Sequence, residues 1–148
     1  MKNIFIIFIL SMFIVTQGSA QNVDDVMTYA EKNDLNDLYH LSALTQRCAG
    51  LILAYENYLP KDMIKEKKQF SIMSRELFIA SALMLRNKGM TNDDDIKKQI
   101  SNALLFYQDH YYKKIEKTQL STGSIFAGKI AEEFKYCKLL SDEIMKNK

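Results

Sequence analysis

Residues 41–60 read LSALTQRCAGLILAYENYLP. Leu41, Leu44, Cys48, Leu51, Ile52, Tyr55 and Leu59 fall at the three- and four-residue spacing that stacks side chains on one face of an α-helix. Pro60 has no amide hydrogen to extend the ladder, so the helix stops there. Asn33 and Asp34 offer capping side chains, and the pattern predicts a helix from about Leu35 to Tyr58. Cys48 lies at the centre of its buried face.

Cys137 is the one other cysteine, and it sits on a second stripe of Phe126, Ile130, Phe134, Cys137, Leu140 and Ile144. Two sulfurs on two buried stripes most simply join as one disulfide in an oxidising compartment. Neither has a second cysteine or a histidine at redox or metal spacing, so the expected role is structural rather than reactive. The separation of 89 residues closes a loop nearly as large as the domain, worth about 4 to 5 kcal/mol in the chain-entropy estimate.

Between these stripes lie two more. Met63, Phe70, Met73, Leu77, Ala80 and Met84 predict a helix from near Lys61 that ends at Gly89. Thr91, Asn92 and Asp93 to Asp95 then supply a capping side chain and first-turn carboxylates where the helix dipole favours them. Ile96, Ile100, Ala103, Leu104, Tyr107, Tyr111 and Ile115 continue as one face until Ser121, Thr122 and Gly123 break it, after which Ser124 can cap the last helix. A short segment from Val23 to Lys32 precedes all four. The expected architecture is all-α: an up-down-up-down four-helix bundle with a short extra N-terminal helix. In that topology the first and last long helices are neighbours, which lets Cys48 and Cys137 meet near mid-helix.

The 148 residues make one domain, without internal repeat, low-complexity tract or linker. Met1 to Ala20 stands apart. Lys2, an apolar run from Ile4 to Val15 and the small residues Gly18 and Ala20 form a secretory signal pattern. The run is too short for a bilayer span of roughly 20 residues. Cleavage after Ala20 would leave residues 21–148 as a single helical domain beginning at Gln21, with 19 basic and 18 acidic side chains and no later membrane span. The expected destination is the periplasm or the extracellular space. A near-neutral chain has no charge excess for nucleic acid.

The search for chemistry returns few parts. His40 and His110 are the only imidazoles and fall in no zinc, di-iron or haem motif, so neither metal nor cofactor is expected. His40 reads as a residue on the border of the first long helix's apolar stripe and His110 as a solvated helix position. The acidic runs read as helix-start or surface charge, and no nucleophile elbow or phosphate-cradling glycine loop occurs. Arg47, one of three arginines, adjoins Cys48, and Glu133 lies one turn before Cys137. A buried ion pair between Arg47 and Glu133 follows as an expectation. Gln46 to Leu51 has the compactness of a motif but carries no functional assignment.

The apolar excess is the more informative signal. Leu77 to Leu85 is apolar nearly all round, leaving Phe78, Ile79 and Leu85 in need of cover, with Leu105 and Tyr112 off the main stripe of the next helix. Either the N-terminal segment with Val23, Val26, Met27 and Tyr29 folds over them, or they form an interaction surface. The occupants considered are a protein partner, a homodimer and an apolar small molecule. The preferred function is a small exported non-enzymatic binding or interaction protein. The alternatives are a periplasmic stress chaperone or inhibitor, and an enzyme assembled from the distant residues His40, Arg47 and His110, which would have to converge on a pocket.

Overall fold

The structure, a computed structural model, describes residues 23–146; the expected signal segment and its cleavage site lie outside the described residues. The described residues form five helices: α1 (Val26–Lys32), α2 (Leu38–Tyr58), α3 (Ile64–Asn87), α4 (Asp93–Thr122) and α5 (Gly128–Lys146). They pack into an all-α bundle, and no strand occurs among the described residues.

Several ends follow from local chemistry. Asn92 caps α4, its side-chain oxygen accepting the amides of Asp94 and Asp95, and Gly123 closes the same helix at a φ of 76°. Gly89, at a φ of 107°, follows α3. Three long helices start later than expected: α3 begins at Ile64 rather than near Lys61, and the other two delays have a visible cause. Asp34 accepts the amide of Asn36 in a turn, so Asp37 becomes the cap of α2, accepting the Tyr39 amide at 2.7 Å. Ser124 accepts the Phe126 amide, and Phe126 then stacks flat on Tyr55 with ring centroids 4.8 Å apart. That contact keeps residues 124–127 out of the helix, and α5 begins at Gly128.

Pairs along the helices give their directions. Ser42 meets Ser81, Ala49 meets Ser74 and Glu56 meets Lys67, so α2 and α3 run antiparallel. Cys48 meets Cys137 while Tyr55 meets Phe134 and Ile125, so α2 and α5 are antiparallel as well. Gly50 abuts Tyr107 and Tyr58 reaches Gln119, which makes α2 and α4 parallel neighbours. A square bundle would hold those two helices diagonally apart. Here α2 is the shared wall, packed most extensively on α3 and α4 and also on α5 and α1.

Glycine makes that approach possible. A Cβ on Gly50 would stand 2.5 Å from Tyr107 Cβ and 3.0 Å from the Gln108 amide nitrogen, so only hydrogen fits between the two backbones. The main core gathers Leu44, Leu51, Ile52, Tyr55, Leu77, Tyr111 and Ile115 around the two cysteines. A smaller core of Leu85, Ile96 and Ile100, with Phe78, Ala82 and Met90 against it, closes the α3–α4 hairpin.

Candidate functional site

Cys48 and Cys137 are joined, with an S–S distance of 2.03 Å and Cα atoms 5.1 Å apart, and both are fully buried. The bond ties the middle of α2 to α5. Polar groups sit on both sides of it, and they are of two kinds.

Toward α3 lies a neutral network. The Ser42 and Ser81 hydroxyls are 2.7 Å apart, each also within reach of the other's backbone carbonyl, and the Gln46 amide donates to both at 3.0 and 2.9 Å. Ser74 donates to the Ala49 carbonyl at 3.1 Å. Small side chains bring α2 and α3 close while satisfying every hydroxyl in the seam.

Toward α1, α4 and α5 the groups are charged. Glu133 is fully buried, and its two oxygens accept the Lys114 ammonium at 2.8 Å and the Val26 amide at 3.1 Å. Its charge reinforces burial in driving the Tyr111 hydroxyl pKa far up, so that phenol stays protonated. Asp25 caps α1 through Thr28 and pairs with Lys129 of α5. Partial burial pushes the Asp25 carboxyl up, but the Lys129 and Thr28 hydrogen bonds outweigh it and hold it well below the usual carboxylate range. This pairing anchors α1, a helix of seven residues too short to persist alone.

Arg47 completes the charged side. Its guanidinium carbon lies 4.0 Å from the Tyr29 ring centroid and 4.6 Å from that of Tyr107, a sandwich between α1 and α4. The Nε and Nη1 groups are buried without a hydrogen-bond partner, and burial depresses the pKa. The expected ion pair between Arg47 and Glu133 is therefore not formed. The physical reason is the closeness of α4 to α2: it brings Lys114 to the carboxylate and Tyr107 to the guanidinium.

His110 also departs from expectation. It is half-buried rather than solvated, with Nε2 enclosed and unpartnered and its ring edge-on to Tyr111 at 5.1 Å. Burial pushes its pKa down, and the positive charges of Lys114 and Arg47 add to that push against Glu133 and Asp109. His40 lies on the boundary, its Nδ1 3.4 Å from the Tyr29 hydroxyl. Tyr29 thus links His40 to Arg47, and Arg47 acts on His110 through charge, while two clefts of the surface are built from other residues. One of about 290 Å³ between α3 and α5 is lined by Ile72, Met73, Met145, Lys65, Lys68 and Asp142. Another of about 390 Å³ between α4 and α5 includes Lys114, Lys117, Thr118 and Lys129.

The expected apolar surface divides. Leu85 is 1% exposed beneath Ile96 and Ile100, and Phe78 packs partly against the same cluster, so both leave the surface reading; the α3–α4 hairpin covers them. The N-terminal segment does not fold over this region, because Val26 and Asp25 bind it to α5 and Tyr29 binds it to α2. Ile79, Leu105 and Tyr112 remain exposed, Tyr112 with its ring tilted against Tyr58. Ile72 and Leu83, absent from the sequence expectation, join Ile79 on the outer side of α3.

Lys114, Tyr29, Tyr107 and Tyr111 are the polar-cluster members that sequence reading missed. A weak signal existed: Lys114 continues the Tyr107 and Tyr111 stripe by one further step of three residues, placing a charge at the border of a buried face. Among protein-family models, curated proteins and solved structures, none matches this chain.

Proposed function

We infer that the protein is an exported, non-enzymatic helical interaction protein, a disulfide-stapled bundle that presents apolar side chains to a macromolecular partner. The observation that carries this reading is on α3. Ile72, Ile79 and Leu83 are 39%, 39% and 51% exposed on the outer side of a helix whose inner side supplies Met73, Leu77 and Ala80 to the core. Large aliphatics aligned on one helix face mark a contact surface more strongly than the same number scattered. Leu105, 64% exposed on α4, adds apolar area on a second helix.

The charged groups around Arg47, the one catalytic candidate enclosed with them, support the same reading from the other side. Glu133, Lys114, Asp25 and Lys129 are engaged with one another's elements, and Arg47 is held between two rings. These contacts fasten helices together. Export rests on the N-terminal pattern of residues 1–20 and on a cysteine pair that suits an oxidising compartment.

Native mass spectrometry of the protein from its own exported fraction tests this. The expected species begins at Gln21, is two hydrogens lighter than the dithiol form, and retains a partner that the double variant Ile79→Lys, Leu83→Lys releases. An uncleaved chain, or a partner retained equally by the variant, overturns the reading.

A further inference from the structure

We propose that the outer strip of α3 is a docking surface for an acidic amphipathic helix of a protein partner. This rests on the interaction-protein reading and names the chemistry of the occupant.

Lys65, Lys68, Ile72, Arg75 and Ile79 follow one another at steps of three and four residues and Arg86 comes seven further on, the periodicity of a helix–helix seam. Leu83 lies on the same side, between Ile79 and Arg86. All seven are exposed, and they occupy the face opposite Met73, Leu77 and Ala80. The strip runs straight for 21 residue steps, about 30 Å, the length of a five- to six-turn helix laid alongside it. Its shape suits a rod, and its aliphatics alternate along the rod with positive charge.

Charge selects which rod. α3 holds five basic residues against two acidic ones, whereas α4 holds five of each. Four of the five cations of α3 are on the strip. Arg75 is exposed and only leans on its mostly buried neighbour Glu76 at 3.5 Å, and Arg86 pairs with Asp93 in solvent. Pairs of that kind contribute little and yield readily to better-placed carboxylates. The two clefts beside the strip, both lined by Lys68 and Ile72, repeat the mixture with cations in excess: Met73, Met145 and Lys65 line one with the single carboxylate of Asp142, and Lys67 and Arg75 line the other with that of Glu56.

The order of side chains also separates the occupants. Arg75 stands between Ile72 and Ile79, so a bilayer could receive the two isoleucines only by taking the guanidinium with them. A partner helix instead places a carboxylate there and forms a bidentate pair. A second copy laid antiparallel would set Lys65 against Arg86, cation against cation.

The test uses the exported protein with its disulfide intact. The probe is a fluorescent 21-residue helix carrying Leu at its seam positions and Glu elsewhere, with a Lys-for-Glu counterpart and phosphatidylglycerol vesicles as comparisons. Expected is saturable binding of the acidic helix that weakens about tenfold or more in Lys68→Glu with Arg75→Glu, and separately in Ile79→Ser with Leu83→Ser. The cationic helix should stay free. Circular dichroism should show both variants folded and helical, because every substituted side chain is on the exposed face of α3. No binding of the acidic helix, equal binding by the variants, vesicle binding that the variants abolish, or a homodimer that they dissolve overturns the proposal. If the native partner is lost on Ile79→Lys with Leu83→Lys while the acidic helix fails to bind, the interaction-protein reading stands and the acidic-helix occupant falls.

Discussion

The two flanks of α2 solve the same problem by different means. On the α3 side, Ser42, Gln46 and Ser81 satisfy one another with neutral hydrogen bonds. On the α1, α4 and α5 side, Glu133 is buried with Lys114 and the Val26 amide, and Arg47 is screened by tyrosine rings. A neutral seam tolerates the loss of a member because what remains is uncharged. A charged cluster does not, because the partner left behind carries an uncompensated charge in a medium that solvates it poorly. The neutral flank joins two helices adjacent in sequence, and the charged flank includes the α1–α5 contact of Val26 with Glu133, 107 residues apart. The stronger and less forgiving interactions stand where loop closure helps least.

That contrast can be broken or sharpened by substitution. The largest effect belongs to the bond that spans the charged flank: Cys48→Ala with Cys137→Ala should lose about 4 to 5 kcal/mol of unfolding free energy, measured in urea against the oxidised protein. Reduction of the wild type should reproduce most of that loss. Next, Glu133→Ala should cost about 3 kcal/mol, whereas Ser81→Ala in the neutral seam should cost about 1 kcal/mol. Equal losses at the two positions would erase the distinction between the flanks. Gly50→Ala should cost about 2 kcal/mol by forcing α4 away from α2, and a mixed result there is informative: an unchanged midpoint would mean the two helices separate freely.

The smallest effect is on pH dependence. Burial and the neighbouring cations hold the His110 pKa below its unfolded value near 6.5. Below that value the unfolded chain takes up a proton that the folded chain resists, so the His110 contribution is fully present above about pH 6.5 and declines as the pH falls. His110→Leu should flatten the fall in urea midpoint between pH 7 and pH 5. An unchanged slope would place the acid sensitivity elsewhere in the charged cluster.

The neutral flank was the easier to read from sequence. Its helices are consecutive, each long enough to show a stripe, and Pro60, Gly89, Asn92 and Gly123 mark breaks that depend only on local backbone chemistry. The meeting of Cys48 with Cys137 was also legible, since both stripes centre on sulfur. The charged flank was not. α1 is seven residues long, under two full turns, and so has no periodicity from which to choose a face. Glu133 was singled out, but its partners come from α4 and from a backbone amide, and no spacing within α5 encodes either. Gly50 reads in one dimension as a weak point of a helix; its role appears only when Tyr107 is set against it. Leu85 failed as a surface residue for the same reason: its cover comes from Ile96 and Ile100, on the far side of a tight turn.

The cystine between α2 and α5 turns residues 48–137 into a closed ring that contains all of α3 and α4. A protease that nicks the exposed turn at Gly89 or at Gly123 therefore releases no fragment. The cut chain should keep its mobility on a non-reducing gel and fall into two pieces only after thiol is added, so damage inside the ring stays hidden wherever the bond stays oxidised.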